Sequence, residues 1–319
     1  MHVIFSDLDN TLLFSSKEKI TDIENIDSGI TCVEKKDDKE IGFMPFLSST
    51  RMYYILTNSY FIPCTARNIE QTMRIEFLQE GINFLPILIC DAGGSIYFNN
   101  GIKRLNSFNV SDHFEQYQKY TNYLKEITNS KITKKIFKEI KLKYLKNDSN
   151  TKEVTSLKYS NHLISIAFKD HETLLENEPL IINMIEKIRK KYNKTNNTNI
   201  YVIERNKKNG RKLYVHDENI NKNTAVRYLK RELLDAFNKI QLQNKNQSKK
   251  ETITFITAGD SMMDKLFLSY GDIQIVPNQS ELGKYLKKEK KDIILNNETL
   301  ILANSVVNEF LKILLKENL

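Results

Sequence analysis

Four short apolar runs, each ending in a polar loop, constrain this chain more than any other feature. His2–Ser6 runs into Asp7-Leu8-Asp9-Asn10-Thr11, and Phe61–Cys64 runs into Thr65-Ala66-Arg67. Pro86–Cys90 runs into Asp91-Ala92-Gly93-Gly94, and Thr252–Thr257 into Ala258-Gly259-Asp260-Ser261-Met262-Met263-Asp264. Runs this short and this apolar read as strands buried on both faces. Helical patterns lie beside them at Ser48–Leu56, Asn68–Leu78 and Thr224–Phe237. Strands alternating with helices imply βα units and a parallel sheet. In an open sheet of that kind, ligands sit beyond the C-terminal ends of the strands, where these loops fall.

The rhythm breaks after about Gly101. Val110–Thr128, Ile132–Leu145 and Leu174–Tyr192 read as helices, and Leu163–Phe168, Ile200–Glu204 and Lys212–His216 as strands. The simplest account is an α/β core of residues 1–100 and 213–319, split by an α+β insert of residues 101–212. Ile30–Glu34 and Ile41–Met44 read as a β-hairpin after the first strand. Late in the chain the pattern predicts strands at Ile273–Val276 and Asp292–Leu295 and a last helix over Thr299–Leu315. A length of 319 residues suits one such core with one insert.

Charge and cysteine usage narrow the surroundings. Lys and Arg number 48 against 40 Asp and Glu, a net charge of +8 that favours anionic partners. Cys32, Cys64 and Cys90 form neither a CxxC pair nor a disulfide framework, so a reducing, cytoplasmic setting is expected. No apolar run approaches the ~18–20 residues of a membrane span. The N-terminal run is interrupted by Asp7 and Asp9, unlike a secretory signal. The expected protein is soluble, with no membrane partner.

Asp7 and Asp9 carry the first chemistry. In extended chain, an i, i+2 pair projects to one side, about 6.5–7 Å apart along the backbone. Two such acids can bind a metal, or work as nucleophile and general acid. A lone pair of this kind could equally cap a helix in a solvated turn. A second acidic loop, Gly259–Asp264, shifts the balance. Asp7, Asp9 and Asp260 at adjacent strand ends would offer hard oxygen ligands to Mg²⁺.

With both loops in view, the chain resembles the haloacid dehalogenase-like phosphohydrolases. Asp7-Leu8-Asp9-Asn10-Thr11 matches their first motif, DxDxT, and Gly259–Asp264 their fourth, GDxxxD. Thr65 matches the second motif, a Ser or Thr at a strand end, with Thr57 as a competing candidate. Thr65-Ala66-Arg67 parallels the TGR signature of the Cof-type branch. Lys222, in Asn221-Lys222-Asn223-Thr224-Ala225, is similar to the KGxA pattern of the third motif. Asp91-Ala92-Gly93-Gly94 resembles the NGG or NGA turn of that branch. Asn10 and Met263 depart from the usual Gly and Asn.

The resemblance implies a Rossmann-like core with a cap inserted between the second and third motifs, as in Cof-type and sucrose-phosphate phosphatase-like members. It implies a phosphoric monoester hydrolase in which Asp7 is the nucleophile and Asp9 the general acid and base. Thr65 and Lys222 would contact the transferring phosphoryl group. Mg²⁺ would be held by Asp7, Asp9 through its backbone carbonyl, Asp260 and Asp264, the last by ordering the metal's water shell. Substrate contacts would come from Thr65, Ala66, Arg67, Gly93, Gly94 and Lys222. The expected substrate is a small phosphorylated metabolite, a sugar phosphate first. A phosphomutase of the phosphomannomutase type is the alternative on the same fold.

The insert is basic: Lys131–Lys146 carries seven Lys and one Glu. Its apolar residues recur at helical spacing, which reads as a solvated helix face. Arg205, Lys208, Arg211 and Lys212, read as turn residues, are the better candidates to reach an anion. Nucleic-acid binding through this basic insert is the remaining alternative.

Overall fold

The computed structural model describes residues 1–20, 29–100, 113–128, 130–145, 153–160, 163–192, 201–205, 210–243, 252–289 and 299–316. The chain forms two compact units, one of Met1–Tyr117 with Lys222–Leu319 and one of Gln118–Asn221.

The first unit is built on a five-stranded sheet. With strands numbered along the chain, it contains β1 (His2–Ser6), β4 (Tyr60–Pro63), β12 (Thr254–Ala258), β13 (Ile273–Pro277) and β14 (Leu300–Ala303). Their order is β14-β13-β12-β1-β4, and every neighbouring pair is parallel. All five residues of β1 are buried, as expected of a strand covered on both faces. Ile4, Phe61, Ile256, Ile275 and Phe310 belong to the core beneath it. From β1 the chain crosses to β4 on one side, and much later returns through β12 on the other. The C-terminal ends of β1 and β12 therefore flank a topological switch point, where such sheets open a crevice.

The hairpin after β1 forms as expected, from β2 (Ile30–Lys36) and β3 (Lys39–Pro45). Asp37 and Asp38 at its tip have φ of 48° and 61°, the left-handed pair that a two-residue hairpin turn demands. β5 (Ile87–Cys90) continues beyond β4 through a parallel bridge, Cys64 to Ile89. It pairs antiparallel with β6 (Ser95–Asn99), which pairs with β7 (Phe114–Gln116).

The second unit has an antiparallel sheet of β8 (Val154–Ser160), β9 (Leu163–Phe168), β10 (Tyr201–Arg205) and β11 (Lys212–Asp217), in the order β10-β11-β9-β8. Helices Ser130–Leu145 and His171–Tyr192 pack on it through Ile132, Ile136 and Ile140, and through Ile181, Ile185 and Ile188. Lys131, Lys134, Lys138 and Lys141 are exposed, so this helix presents a solvated basic face.

Several details differ from the sequence expectation. The division falls after Tyr117 and Asn221 instead of after residues 100 and 212. The cause is pairing: β7 belongs with β6, and β11 with β9 and β10. Arg205 and Lys212 are strand residues, not turn residues, and Lys208 lies outside the described residues. The expected helix Asn68–Leu78 is two short ones, Ile69–Thr72 and Glu76–Glu80. It breaks where Ile75 bridges to Glu34 of β2. The expected helix Thr299–Leu315 begins instead as β14, which pairs with β13, and only Val306–Lys316 is helical. Of the expected helix Val110–Thr128, Gln118–Ile127 is helical and Phe114–Gln116 is strand. The expected strand Asp292–Leu295 lies outside the described residues. Among the described residues, no helix is long and apolar enough to cross a membrane.

Candidate active site

Register brings the motifs together. Ser6 lies opposite Ala258 on one side and Pro63 on the other. The residues that follow, Asp7, Gly259 and Cys64, therefore leave the sheet side by side. Asp7 N donates to Ala258 O at 2.9 Å and Cys64 N to Ser6 O at 2.7 Å, extending the ladders by one step. Lys222 starts the long helix Lys222–Gln243 and enters this crevice from its N-terminus.

Lys222 is the centre of the cluster. Its Nζ donates to Asp7 Oδ1 at 2.6 Å and to Asp264 Oδ1 at 2.7 Å. Asp264 Oδ2 accepts from Ser261 Oγ at 2.7 Å and from the backbone N–H groups of Ser261 and Asp260 at 3.0 and 3.2 Å. Both of its oxygens are thus committed, and Asp264 is fully buried. Gly259 makes this possible: a Cβ there would lie 2.5 Å from Asp264 Cβ. Thr11 Oγ1 is 3.4 Å from Asp7 Oδ2 and 3.5 Å from Asp260 Oδ1, spanning the two acidic loops.

Carboxylate oxygens of Asp7, Asp260 and Asp264 all lie within 4.8 Å of one another. Three buried acids face one lysine, so their full ionisation leaves an excess of negative charge. The proton affinities register this. Burial, with repulsion from Asp264 and Asp9, lifts the Asp7 carboxyl to about 6 against the opposing pull of Lys222. Burial, then Asp7 and Asp264, push Asp260 well above the usual carboxylate range. Burial works against the Lys222 charge, but Asp264 and Asp7 outweigh it and hold the ammonium firmly protonated. Converging hard oxygens with unbalanced charge fit a divalent cation. The Asp9 side chain is not part of this triad.

Asp9 instead pairs with Arg67. Arg67 Nε donates to Asp9 Oδ2 at 2.8 Å and Nη2 to Oδ1 at 2.6 Å, a bidentate fork. Nη1 of Arg67 lies 2.8 Å from Glu34 Oε2 and donates to Gln71 O at 3.3 Å. Arg67, expected to bind substrate phosphate, is thus engaged by protein groups on all three nitrogens. Asn10 has φ of 61°, a left-handed conformation that Asn tolerates well, which accounts for its standing in for Gly.

Thr65 is buried at the end of β4, and its Oγ1 accepts from Arg67 N at 3.2 Å. Among the described residues no acceptor takes its own hydroxyl proton. Thr57 is far from this role: it lies exposed in the helix Phe46–Asn58 and donates to Tyr53 O at 3.0 Å. Ala66, half-buried, belongs to the same loop as Thr65. That loop is laced to the next one, Asp91 N donating to Arg67 O at 2.8 Å and Ala92 N to Thr65 O at 3.0 Å. Asp91, Ala92 and Gly93 have φ of 53°, 54° and 93°, a strained turn beside the crevice. Gly94 closes it by donating to Asp91 O at 2.9 Å. Thr11, Ser261, Glu34 and Arg74 are participants that the sequence reading did not single out. Thr11 and Ser261 fall inside the two acidic motifs and could have been found there.

By sequence, no family model matches the chain and no curated protein matches it. Solved structures do show likenesses in fold. One is a haloacid dehalogenase-like hydrolase protein from Bacillus subtilis, 12% identical, covering 99% of this chain and 90% of that one at a TM-score of 0.46. Another is a trehalose-6-phosphate phosphatase from Aspergillus fumigatus, 11% identical, covering 98% and 92% at 0.42. A third is a sugar phosphatase of haloacid dehalogenase subclass IIB, 10% identical, covering 98% and 99% at 0.48. At such identity it is the site's own residues that carry the chemistry.

Proposed function

We propose that the chain is a Mg²⁺-dependent phosphatase that hydrolyses a small phosphorylated metabolite, a sugar phosphate by first choice. The observation that carries this reading is Lys222 held between Asp7 and Asp264, within a buried acid triad at a sheet switch point. A structural salt bridge needs one acid per lysine. Two further buried acids suit a site that receives a cation and a phosphate together.

Asp7 attacks phosphorus and forms a new P–O bond as the leaving oxygen departs, giving an aspartyl-phosphate. Asp9, entering the first step with a proton on a lone pair that the Arg67 fork leaves free, gives it to that leaving oxygen, and as the carboxylate it then takes one from the water that hydrolyses the intermediate. Lys222 offsets charge on the transferring group, and the Thr65 hydroxyl donates to one of its oxygens. Asp264 keeps Lys222 aimed at Asp7. Asp7, Asp260 and the Asp9 backbone carbonyl would hold Mg²⁺, with Asp264 ordering its water shell; when bound, the ion offsets the repulsion between carboxylate nucleophile and phosphate. The isolated cysteines suit a reducing, cytoplasmic setting for such an enzyme.

The test is turnover of p-nitrophenyl phosphate by purified protein with and without Mg²⁺. Turnover that requires the metal and disappears in both Asp7→Asn and Asp9→Asn is the expected result. Full activity in either variant would sink the mechanism. Release of free phosphate, rather than an isomerised sugar phosphate, separates hydrolase from mutase.

A further inference from the structure

A second charged cluster adjoins Asp9, and the hairpin supplies its centre. The Glu34 side chain on β2 is 1% exposed. It stands between two guanidinium groups: Arg67 Nη1 lies 2.8 Å from its Oε2, and Arg74 donates Nη2 and Nε to its Oε1 at 3.0 and 3.1 Å. Since Arg67 turns Nε and Nη2 to Asp9, the charges alternate along one line: Asp9, Arg67, Glu34, Arg74.

The backbone is shaped for this carboxylate. The β2–β3 register shifts on both sides of Glu34, and such irregularities re-aim a side chain. Its cross-strand neighbour is Gly42, where a Cβ would come within 2.8 Å of Glu34 Cβ and 3.1 Å of Oε2. The Glu34 backbone also bridges to Ile75, beside Arg74. A carboxylate is costly to bury unless it is fully paired. Here Arg74 hydrogen-bonds its Oε1, and Arg67, which reaches Asp9, faces its Oε2 as an ion pair without a hydrogen bond.

We propose that Glu34 is a positioning residue for the site: by anchoring Arg67 through Nη1, it sets the orientation in which Nε and Nη2 hold the Asp9 carboxylate. The guanidinium is rigid and planar, so fixing one nitrogen constrains the other two. The Asp9 side chain is 48% exposed, and among the described residues Arg67 is the side chain that fixes it. This inference rests on the phosphatase reading, in which Asp9 serves the leaving oxygen.

The experiment is a mutant cycle of Glu34→Gln and Arg67→Lys, singly and together, read as phosphate release from p-nitrophenyl phosphate with Mg²⁺. Far-UV circular dichroism checks the fold of each variant. Glu34→Gln should lower kcat on the order of ten- to a hundredfold and leave KM within about twofold, because Asp9 does not hold the phosphoryl group. Arg67→Lys keeps the charge but loses the fork, so it should lower kcat comparably. Adding Glu34→Gln to it should then cost little more. A folded Glu34→Gln protein with wild-type kcat overturns the inference. So does a loss that simply multiplies with that of Arg67→Lys. If Glu34→Gln does not fold, Glu34→Asp keeps the charge, is one methylene short of spanning both arginines, and yields the same two readings in the same cycle. Wild-type protein without Mg²⁺-dependent turnover defeats the phosphatase reading and this inference together. Active wild type with an additive cycle defeats this inference alone.

Discussion

Asp264 shows how tightly one side chain can be specified. Its Oδ1 holds Lys222, and its Oδ2 receives three donors from its own loop. The carboxylate reaches these partners by passing directly over Gly259, whose hydrogen occupies the space a methyl group would need. Gly259→Ala forces either the backbone or Asp264 to move. Overpacking of this kind costs about 1–3 kcal/mol. The displacement falls on a group that aims the lysine, so activity should suffer more than stability. The expected outcome is a soluble protein with a modestly lower urea midpoint and a kcat reduced by about a hundredfold or more. Equal losses in Gly259→Ala and in a core variant of matched stability would show that the contact matters for folding only.

Among the elements, the short helix Ile69–Thr72 lies directly after Arg67, and its start is closed by side chains. Asn68 Oδ1 accepts from Gln71 N at 2.8 Å, while Gln71 Oε1 accepts from Asn68 N at 3.2 Å, a capping box. Asn68→Ala should cost about 1 kcal/mol. The neighbouring Arg67 is tied to this turn through Gln71 O, so the variant should also loosen the fork on Asp9. A fall in kcat beyond that expected from lost stability, with unchanged KM, would check this. The same segment marks where sequence patterns stop being informative. Strands β1, β4, β5 and β12 were legible because each is a short, largely buried run that ends in a polar motif loop, too short for a buried helix. β6, β7, β8 and β14 were not, since short edge or half-exposed strands such as Leu300–Ala303 carry no distinguishing period. Site residues followed the same division. Asp7, Lys222, Asp260 and Asp264 stand in strand-end or helix-start motifs and converge, whereas the contacts of Thr65 are to its own loop, β5 and the turn that follows it. Glu34 owes its position to a register shift inside a hairpin, which no spacing rule announces.

For the molecule as a whole, the acid triad ties stability to protons, and on the proposed reading to metal as well. The folded Asp7 carboxyl titrates near 6, above its usual value of 3.8, so the folded state binds that proton more tightly than the unfolded chain does. Its contribution therefore favours folding below about pH 4 and declines as pH rises to about 6, beyond which the full penalty remains. Asp260 shifts in the same direction and adds to the decline. A divalent cation takes the opposite side, because it binds the deprotonated carboxylates and competes with their protons. Mg²⁺ should thus raise the melting temperature strongly near pH 7.5 and much less near pH 5, where the triad holds its protons. At a metal concentration a hundredfold above Kd, the gain at the higher pH amounts to about 2.7 kcal/mol. Thermal melts with Mg²⁺ or with a chelator at the two pH values measure the difference, and Asp260→Asn should shrink the metal-dependent shift. A shift of equal size at both pH values, or one indifferent to Asp260, would mean that the cation stabilises the protein somewhere other than between Asp7, Asp260 and Asp264.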